Sequence, residues 1–575
     1  MERAAAAGPV WVHKRDGRLV PFEADEISRD LFAASERLGQ PNAFLARELT
    51  DGIVYFLTTE LSDTIPTTAQ VRDIAAKVVR ELGYPALAAA FTEHLAPSRS
   101  VAAGAPHLEP SPSAVSSLHA CLASGAAPWN LAWQLAGEVY RRFSLQEVFS
   151  RDIAAAHHDG LLTLGNLDTP AELAAGTVRL GGERTEALLP ALAAARRLFG
   201  ACLALDGLEY DLIEHDHPQA LAWNWLSQLP TLLSSLSLRL IINLNCATPP
   251  AWAEERTTGP LFAGQRRLPE QERLADIQAT LLEQFLSFNS RDEDGGAWRW
   301  RVDWHLGERD FTAAGAGRLF HLLRRALEGA PLAFVFDRPR RPVSLAEGMD
   351  RRYPAVLMTV GLHLPRLIEQ IGPPAEPGRY LDKLGSLARL ALSAATQKRE
   401  FLRRMSTARP GLTSGFLLDR ARVLVAPVGL AATVRQLLGQ GWTEADSALE
   451  LARQIARRLH DTLRQDGRAR LLETALDAVA GFHLGDMTEQ SLDPRAVAGL
   501  TAWEPRATPR QQLQAASAVQ AVADPGSAAL LDNAQHPLSV EDALALTRWA
   551  WQHTDIGRLH FARRSTGGHQ LTAPW

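Results

Sequence analysis

Five short runs rich in β-branched and aromatic residues recur through the chain, each parted from the next by enough residues for a helical crossover. They are LRLIINLNC (238 to 246), WRWRVDWHL (298 to 306), LAFVFD (332 to 337), AVLMTVGLHL (355 to 364) and RVLVAPVGL (422 to 430). Between and around them run long Ala/Leu/Arg stretches of helical pattern. Helix alternating with strand at this spacing favours a mainly parallel α/β sheet or barrel over an antiparallel sandwich, because parallel neighbours need a crossover of a dozen or more residues. A chain of 575 residues suggests two to four units at about 150 residues each, unless one large barrel of about 450 residues takes most of it. No internal repeat of 20 to 50 residues is present.

Hydrophobic residues make up 46% and charged residues 22%, the balance of a soluble protein with a large core, and no apolar run of about 20 residues offers a membrane span. The N-terminus MERAAAAGPV lacks the basic and apolar segments of a secretory signal, so a cytoplasmic location is expected. The only cysteines, Cys121, Cys202 and Cys246, lie far apart in sequence, which excludes both a disulfide framework and a four-cysteine zinc site. No metal is expected. A net charge of −5 and a pI near 6.4 make nucleic acid an unexpected partner, although the Arg338 to Arg341 stretch is locally basic.

Residues 1–96 read as a separate unit, because SVAAGAPHLEPSPSAVSS behind it has the Ala, Pro, Ser and Gly content of a linker. The expected division is 1–96, a linker over 97–118, and a body over 119–575. WVHKRDGRLVPF reads as a hairpin about Asp16-Gly17. Asp25 is expected to cap a helix carrying Ile27, Leu31 and Phe32. Thr67 or Thr68 is expected to cap another, with Val71, Ile74, Val78 and Leu82 ahead of Gly83.

Val12, Lys14, Arg15, Asp16, Gly17, Arg18, Pro21 and Phe22 form V-x-K-R-D-G-R-x-x-P-F. With Glu23, Ile27, the helix from Thr68 and the stretch Val71 to Phe91, this resembles the ATP-cone found at the N-terminus of many ribonucleotide reductases and of their transcriptional repressor. The resemblance implies that Val12 and Ile27 line a base pocket, that Lys14 and Arg15 face the phosphates, and that the Thr68 hydroxyl faces the nucleotide. The residue types suit ATP or dATP, since a triphosphate needs cations and donors and gains from a helix N-terminus. One departure is Glu26, where the family usually has Lys directly before the isoleucine. A hairpin tip that is merely solvated, or a cone that has kept its fold and lost its ligand, are the alternative readings.

The body resembles anaerobic ribonucleotide reductase, a glycyl-radical enzyme, over most of residues 148 to 486. The segments that carry the resemblance are RDIAAAHHDGLLTLGNLDTP, GLHLPRL with YLDKLGSLARLALSAATQKREFLRR, VLVAPVGLAATVRQLLGQG and LLETALDAVAGFHLGD. In the first, His157, Gly160, Leu167 and Asp168 keep the outline of a histidine-rich turn, while Thr163 and Gly165 replace its downstream histidines. The resemblance implies an α/β barrel whose thiyl radical sits on a loop before the strand 355 to 364. Here that loop is RPVSLAEGMDRRYP, without cysteine, and the C-terminus lacks the four zinc-binding cysteines and the R-x-x-G-Y radical loop. Cys246, at a strand end, reads either as a displaced nucleophile or as a small buried side chain. Gly567-Gly568 reads as a radical site or a tail, and His157-His158 as a metal pair or a structural one, adjacent helical residues pointing apart.

Two functions follow. The first is an ATP- or dATP-binding protein, allosterically controlled and self-associating, whose reductase-like barrel is degenerate and has lost radical catalysis: a pseudoenzyme. The second is an active anaerobic ribonucleoside-triphosphate reductase with relocated groups under the same control. A cone gating an unrelated barrel activity stands behind both.

Overall fold

The computed structural model describes residues 11–14, 17–60, 65–94, 128–179, 188–212, 218–236, 239–246, 271–287, 300–339, 341–346, 348–373, 376–407, 411, 417–476, 507–523, 528–532, 536–564 and 571–572. Arg15, Asp16, the linker 97–118, Cys121 and Gly567-Gly568 lie outside the described residues, as does the part of LLETALDAVAGFHLGD beyond residue 476. The chain forms two compact units: Met1–Thr163 with Leu167–Pro170 and Gly378–Phe401, and Leu164–Asn166 with Ala171–Pro377 and Leu402–Trp575.

The first unit begins with a hairpin, β1 (Trp11–His13) against β2 (Leu19–Pro21), paired antiparallel. Gly17 holds a left-handed φ of 79°, the conformation a glycine supplies in such a turn. Four helices follow: α1 (Ala24–Arg37), α2 (Ala43–Glu60), α3 (Thr68–Glu81) and α4 (Pro85–His94). Their apolar stripes, including Leu31, Phe32, Ile53, Leu57, Ala75, Val79, Ala88 and Phe91, are buried together. The expected caps are corrected in detail. Glu23 occupies the position before α1, and Asp25 sits in the first turn with its carboxylate spent elsewhere. Thr67, not Thr68, caps α3: its hydroxyl accepts from the Gln70 amide at 3.2 Å while Gln70 Oε1 accepts from the Thr67 amide at 2.8 Å. The strand β3 (Leu162–Leu164) comes later in the chain.

The second unit is built on ten strands in the order β13-β12-β11-β4-β5-β6-β7-β8-β15-β14. They are β4 (Leu173–Val178), β5 (Phe199–Leu205), β6 (Arg239–Leu244), β7 (Trp300–Leu306), β8 (Leu332–Phe336), β11 (Ala355–His363), β12 (Ala421–Val428), β13 (Glu473–Leu476), β14 (Ala528–Asp532) and β15 (Arg558–Arg564). Strands β4 to β8 are parallel, as are β11 to β13 and the pair β14 and β15. The seams β4/β11 and β8/β15 are antiparallel. Both edge strands, β13 and β14, therefore run the same way, which is the direction a parallel closure into a barrel requires. All five runs read as strands in the sequence are strands here, and the fold is mixed α/β. Strands β4 and β5 were concealed by alanine and glycine in LAAGTV and FGACLAL, which give little β signal.

The two faces of this sheet differ. Register places Leu240 beside Trp300, Leu244 beside Trp304, and Trp304 beside Phe334 on one face. The other face carries Cys202, Ala204, Ile241, Leu424, Ala426 and Ala475, packed with Ala346 and Met349 of a hairpin, β9 (Ser344–Ala346) and β10 (Met349–Asp350). Along β6, β7 and β15 this second face turns polar while staying buried: Asn243, Arg301, Asp303, His305, Arg558 and His560.

Candidate functional sites

In the first unit the hairpin and α3 share a boundary. The His13 amide donates to the Pro66 carbonyl at 2.9 Å, and His13 bridges Thr67 in parallel register. The β1 strand carrying Val12 thus runs beside the start of α3, where unused amides favour an anion. Val12 and Ile27 are each 7% exposed. Lys14 is exposed and Thr68 half-buried, whereas the Thr67 hydroxyl is already committed to its cap. Glu26 is exposed in the first turn of α1.

In the second unit, polar side chains collect at the carboxyl ends of β5 to β8, the usual place for ligands in parallel sheets. Asn245, just past β6, has a φ of 64°, strain that surrounding contacts must hold in place. Its amide donates to Glu209 Oε1 at 3.0 Å, and its side-chain amide donates to the His305 carbonyl at 2.7 Å and to Asp310 Oδ1 at 3.0 Å. The Arg309 guanidinium donates to Asn245 Oδ1 at 2.6 Å. Glu209 is fully buried, and its Oε2 has no hydrogen-bond partner among the described residues. Burial, reinforced by the nearby Asp206 charge, raises its carboxyl to about 7.

Each ring nitrogen of His305 faces an oxygen: Nδ1 lies 2.9 Å from Asp337 Oδ1 and Nε2 lies 3.0 Å from Asn243 Oδ1. Asp206 accepts two bonds from Arg351, at 3.0 and 2.9 Å, the paired geometry a guanidinium favours. Cys246 is buried among these acids. Burial first, then Asp206 and Glu209, push its thiol well above the usual range, so it is a poor nucleophile at neutral pH.

Deeper on the same face, Arg301 contacts both carboxylate oxygens of Asp303, at 2.5 and 3.2 Å, and Arg558 Nε lies 3.2 Å from Asp303 Oδ2. Burial opposes ionisation of Asp303, but the two guanidiniums outweigh it and hold the carboxyl below its ordinary range. Burial and the same two cations push His560 well down, towards its neutral form. The hairpin is tied to this face through Arg558 and Ser344 at 3.4 Å and through Arg422, which bonds the Gly348 carbonyl at 2.8 Å and Asp350 at 3.1 Å.

Sequence reasoning selected Cys246 on this sheet; the structure adds Cys202, which lies in β5 against Ala346 and Met349. It also missed Glu209, Asn245, His305 and the Arg301/Asp303 pair. A signal was present in WRVDWHL, where charged residues alternate strictly with large apolar ones. Among the described residues no group of three or more His, Cys, Asp or Glu is placed to hold a metal, and no helix is long and apolar enough to cross a membrane.

The model of the ATP cone domain family matches residues 11–94. No curated protein matches the chain. Among solved structures, one titled anaerobic ribonucleotide reductase matches with TM-score 0.55 and 11% identity over 76% of this chain and 80% of that one. The anaerobic ribonucleotide reductase from Thermotoga maritima in complex with dATP and CTP matches with TM-score 0.57 and 10% identity, over 79% and 88%. The same enzyme with dATP bound in the specificity site matches with TM-score 0.52 and 10% identity, over 76% and 84%. Residues 11–94 are thus an ATP-cone domain, and the chain shares the fold of anaerobic ribonucleotide reductase.

Proposed function

We propose that the chain is a nucleotide-responsive protein in which the cone binds ATP or dATP and regulates a reductase-fold body that performs no radical reduction. One observation carries the second half of this reading. The loop 341–354, where the resemblance expects the thiyl radical, contains no cysteine, and its hairpin presents Ala346 and Met349 to the core of the sheet. Alanine and methionine offer no S–H from which a thiyl radical can form. Val12 and Ile27 serve the base, Lys14 and Arg15 the phosphates, and Thr68 the helix-start contact. The partners are nucleotides and a second copy of the chain, whose association nucleotide binding alters, in the cytoplasm.

Calorimetric titration of the full chain with ATP and with dATP tests the first half. Binding is expected, and Lys14→Ala with Arg15→Ala should weaken it by about 2 to 4 kcal/mol through lost charge-assisted bonds. Equal affinity in the double variant removes the proposed phosphate contacts.

A second reading, the cone gating a different reaction of the body, is favoured by the strained Asn245 holding a buried Glu209 that titrates near neutrality, the pairing expected of an acid-base group. Nonradical turnover of a nucleotide, detected by mass spectrometry and lost in Glu209→Gln, would establish it.

A further inference from the structure

The first unit contains, besides the cone, the middle of the long helix Pro377–Met405; its residues 402–405 and the chain beyond belong to the second unit. The cone grips this helix through an ion network. Arg47 of α2, its side chain 3% exposed, pairs with Asp25 of α1 at 2.6 Å and with Asp51 at 3.3 Å. Each aspartate uses its other oxygen on the helix. Asp25 Oδ2 accepts from the Ser393 hydroxyl at 2.9 Å, and Asp51 Oδ2 accepts from Ser386 at 2.7 Å and from Arg389 at 2.8 Å. Lys383 pairs with Glu48 one turn away.

Asp25 stands two residues before Ile27 and next to Glu26, at the acidic N-terminus of α1. We infer that the Asp25–Arg47–Asp51 network, closed on Ser386, Arg389 and Ser393, is the contact through which nucleotide binding at the cone is transmitted to the helix 377–405. This rests on the nucleotide-binding reading above. With the network closed, the Asp25 carboxylate is turned onto Arg47 and Ser393. Loosened, its negative charge is no longer countered by Arg47, at the end of α1 that bears Ile27 and so beside the nucleotide whose base Ile27 is to line. A triphosphate therefore favours the closed network, and by reciprocity the closed network favours the triphosphate.

Two measurements on the full chain test this. ATP should raise the hydrogen-exchange protection of residues 378–401 in the unaltered protein. Ser393→Ala, which leaves every residue of the cone in place, should weaken ATP binding by on the order of fivefold, the lower end of ordinary coupling. ATP bound by the unaltered protein, with unchanged protection over 378–401 and unchanged affinity in Ser393→Ala, overturns the inference. Failure of the unaltered protein to bind ATP instead overturns the nucleotide reading itself.

Discussion

The backbone amide of Asn245, in a left-handed turn at the end of β6, donates to the buried carboxylate of Glu209 at 3.0 Å. That bond favours the ionised acid, yet burial dominates and raises Glu209 from 4.5 to about 7. In the unfolded chain the group ionises near 4.5, so between these values the native state holds a proton that the unfolded state has lost. Stability then falls as pH rises from about 5 to about 7.5, by roughly 3 kcal/mol. Glu209→Gln keeps the acceptor for Asn245 and removes the charge. Denaturant unfolding should show the variant gaining on the parent as pH rises through this window; parallel curves for the two proteins would exclude the assignment.

Asp303 is the counter-ion for two buried guanidiniums. Its replacement in Asp303→Ala leaves Arg301 and Arg558, with side chains 2% and 4% exposed, without that charge. A loss of about 3 to 5 kcal/mol is expected, read from the urea midpoint. A loss below about 1 kcal/mol would mean that water or another group already compensates these cations.

Gly315, near the start of the helix Ala313–Leu327, is packed against backbone. A Cβ there would lie 2.5 Å from the Arg309 carbonyl oxygen and 2.7 Å from the Asp310 Cα. Gly315→Ala must therefore displace the two residues whose side chains hold Asn245. We expect a cost of about 1 to 3 kcal/mol and a shift of the Asn245 side-chain amide signals by NMR. Unchanged stability and signals would show that the 308–311 turn yields freely.

The proposal that the body performs no radical reduction predicts that anaerobic protein treated with a radical-generating activase gives no glycyl signal by electron paramagnetic resonance and forms no deoxynucleotide. A glycine-centred doublet from Gly567 or Gly568, or turnover abolished by Cys246→Ser, would instead make this an active enzyme with relocated groups.

Local chemistry was legible in the sequence. The hairpin of β1 and β2 with its turn at Gly17, the apolar stripes of α1 and α3 and the five β-rich runs each follow from the conformational preferences of neighbouring residues, which need no distant partner. The cone motif belongs here too, because its residues crowd into one hairpin and two helix starts. The choice between Thr67 and Thr68 as cap, by contrast, depended on which hydroxyl met Gln70, and the spending of Asp25 on Arg47 rather than its own helix depended on α2.

Only tertiary structure decided the site in the body. Glu209, on the short helix Leu208–Leu212 after β5, and Asn245, His305 and Asp337, at or just past the ends of β6, β7 and β8, come from four separate stretches of chain. Nothing between adjacent residues therefore announces them, and the raised Glu209 exists only because folding strips its water. The same holds for Asp303, whose charge persists in the interior because Arg558, 255 positions later in the chain, is brought beside Arg301 by the antiparallel seam of β8 and β15. Strand periodicity can reveal that Arg301, Asp303 and His305 share a face. Whether that face meets solvent or a buried hairpin is set by the curvature and pairing of ten strands, which no local stretch of chain contains.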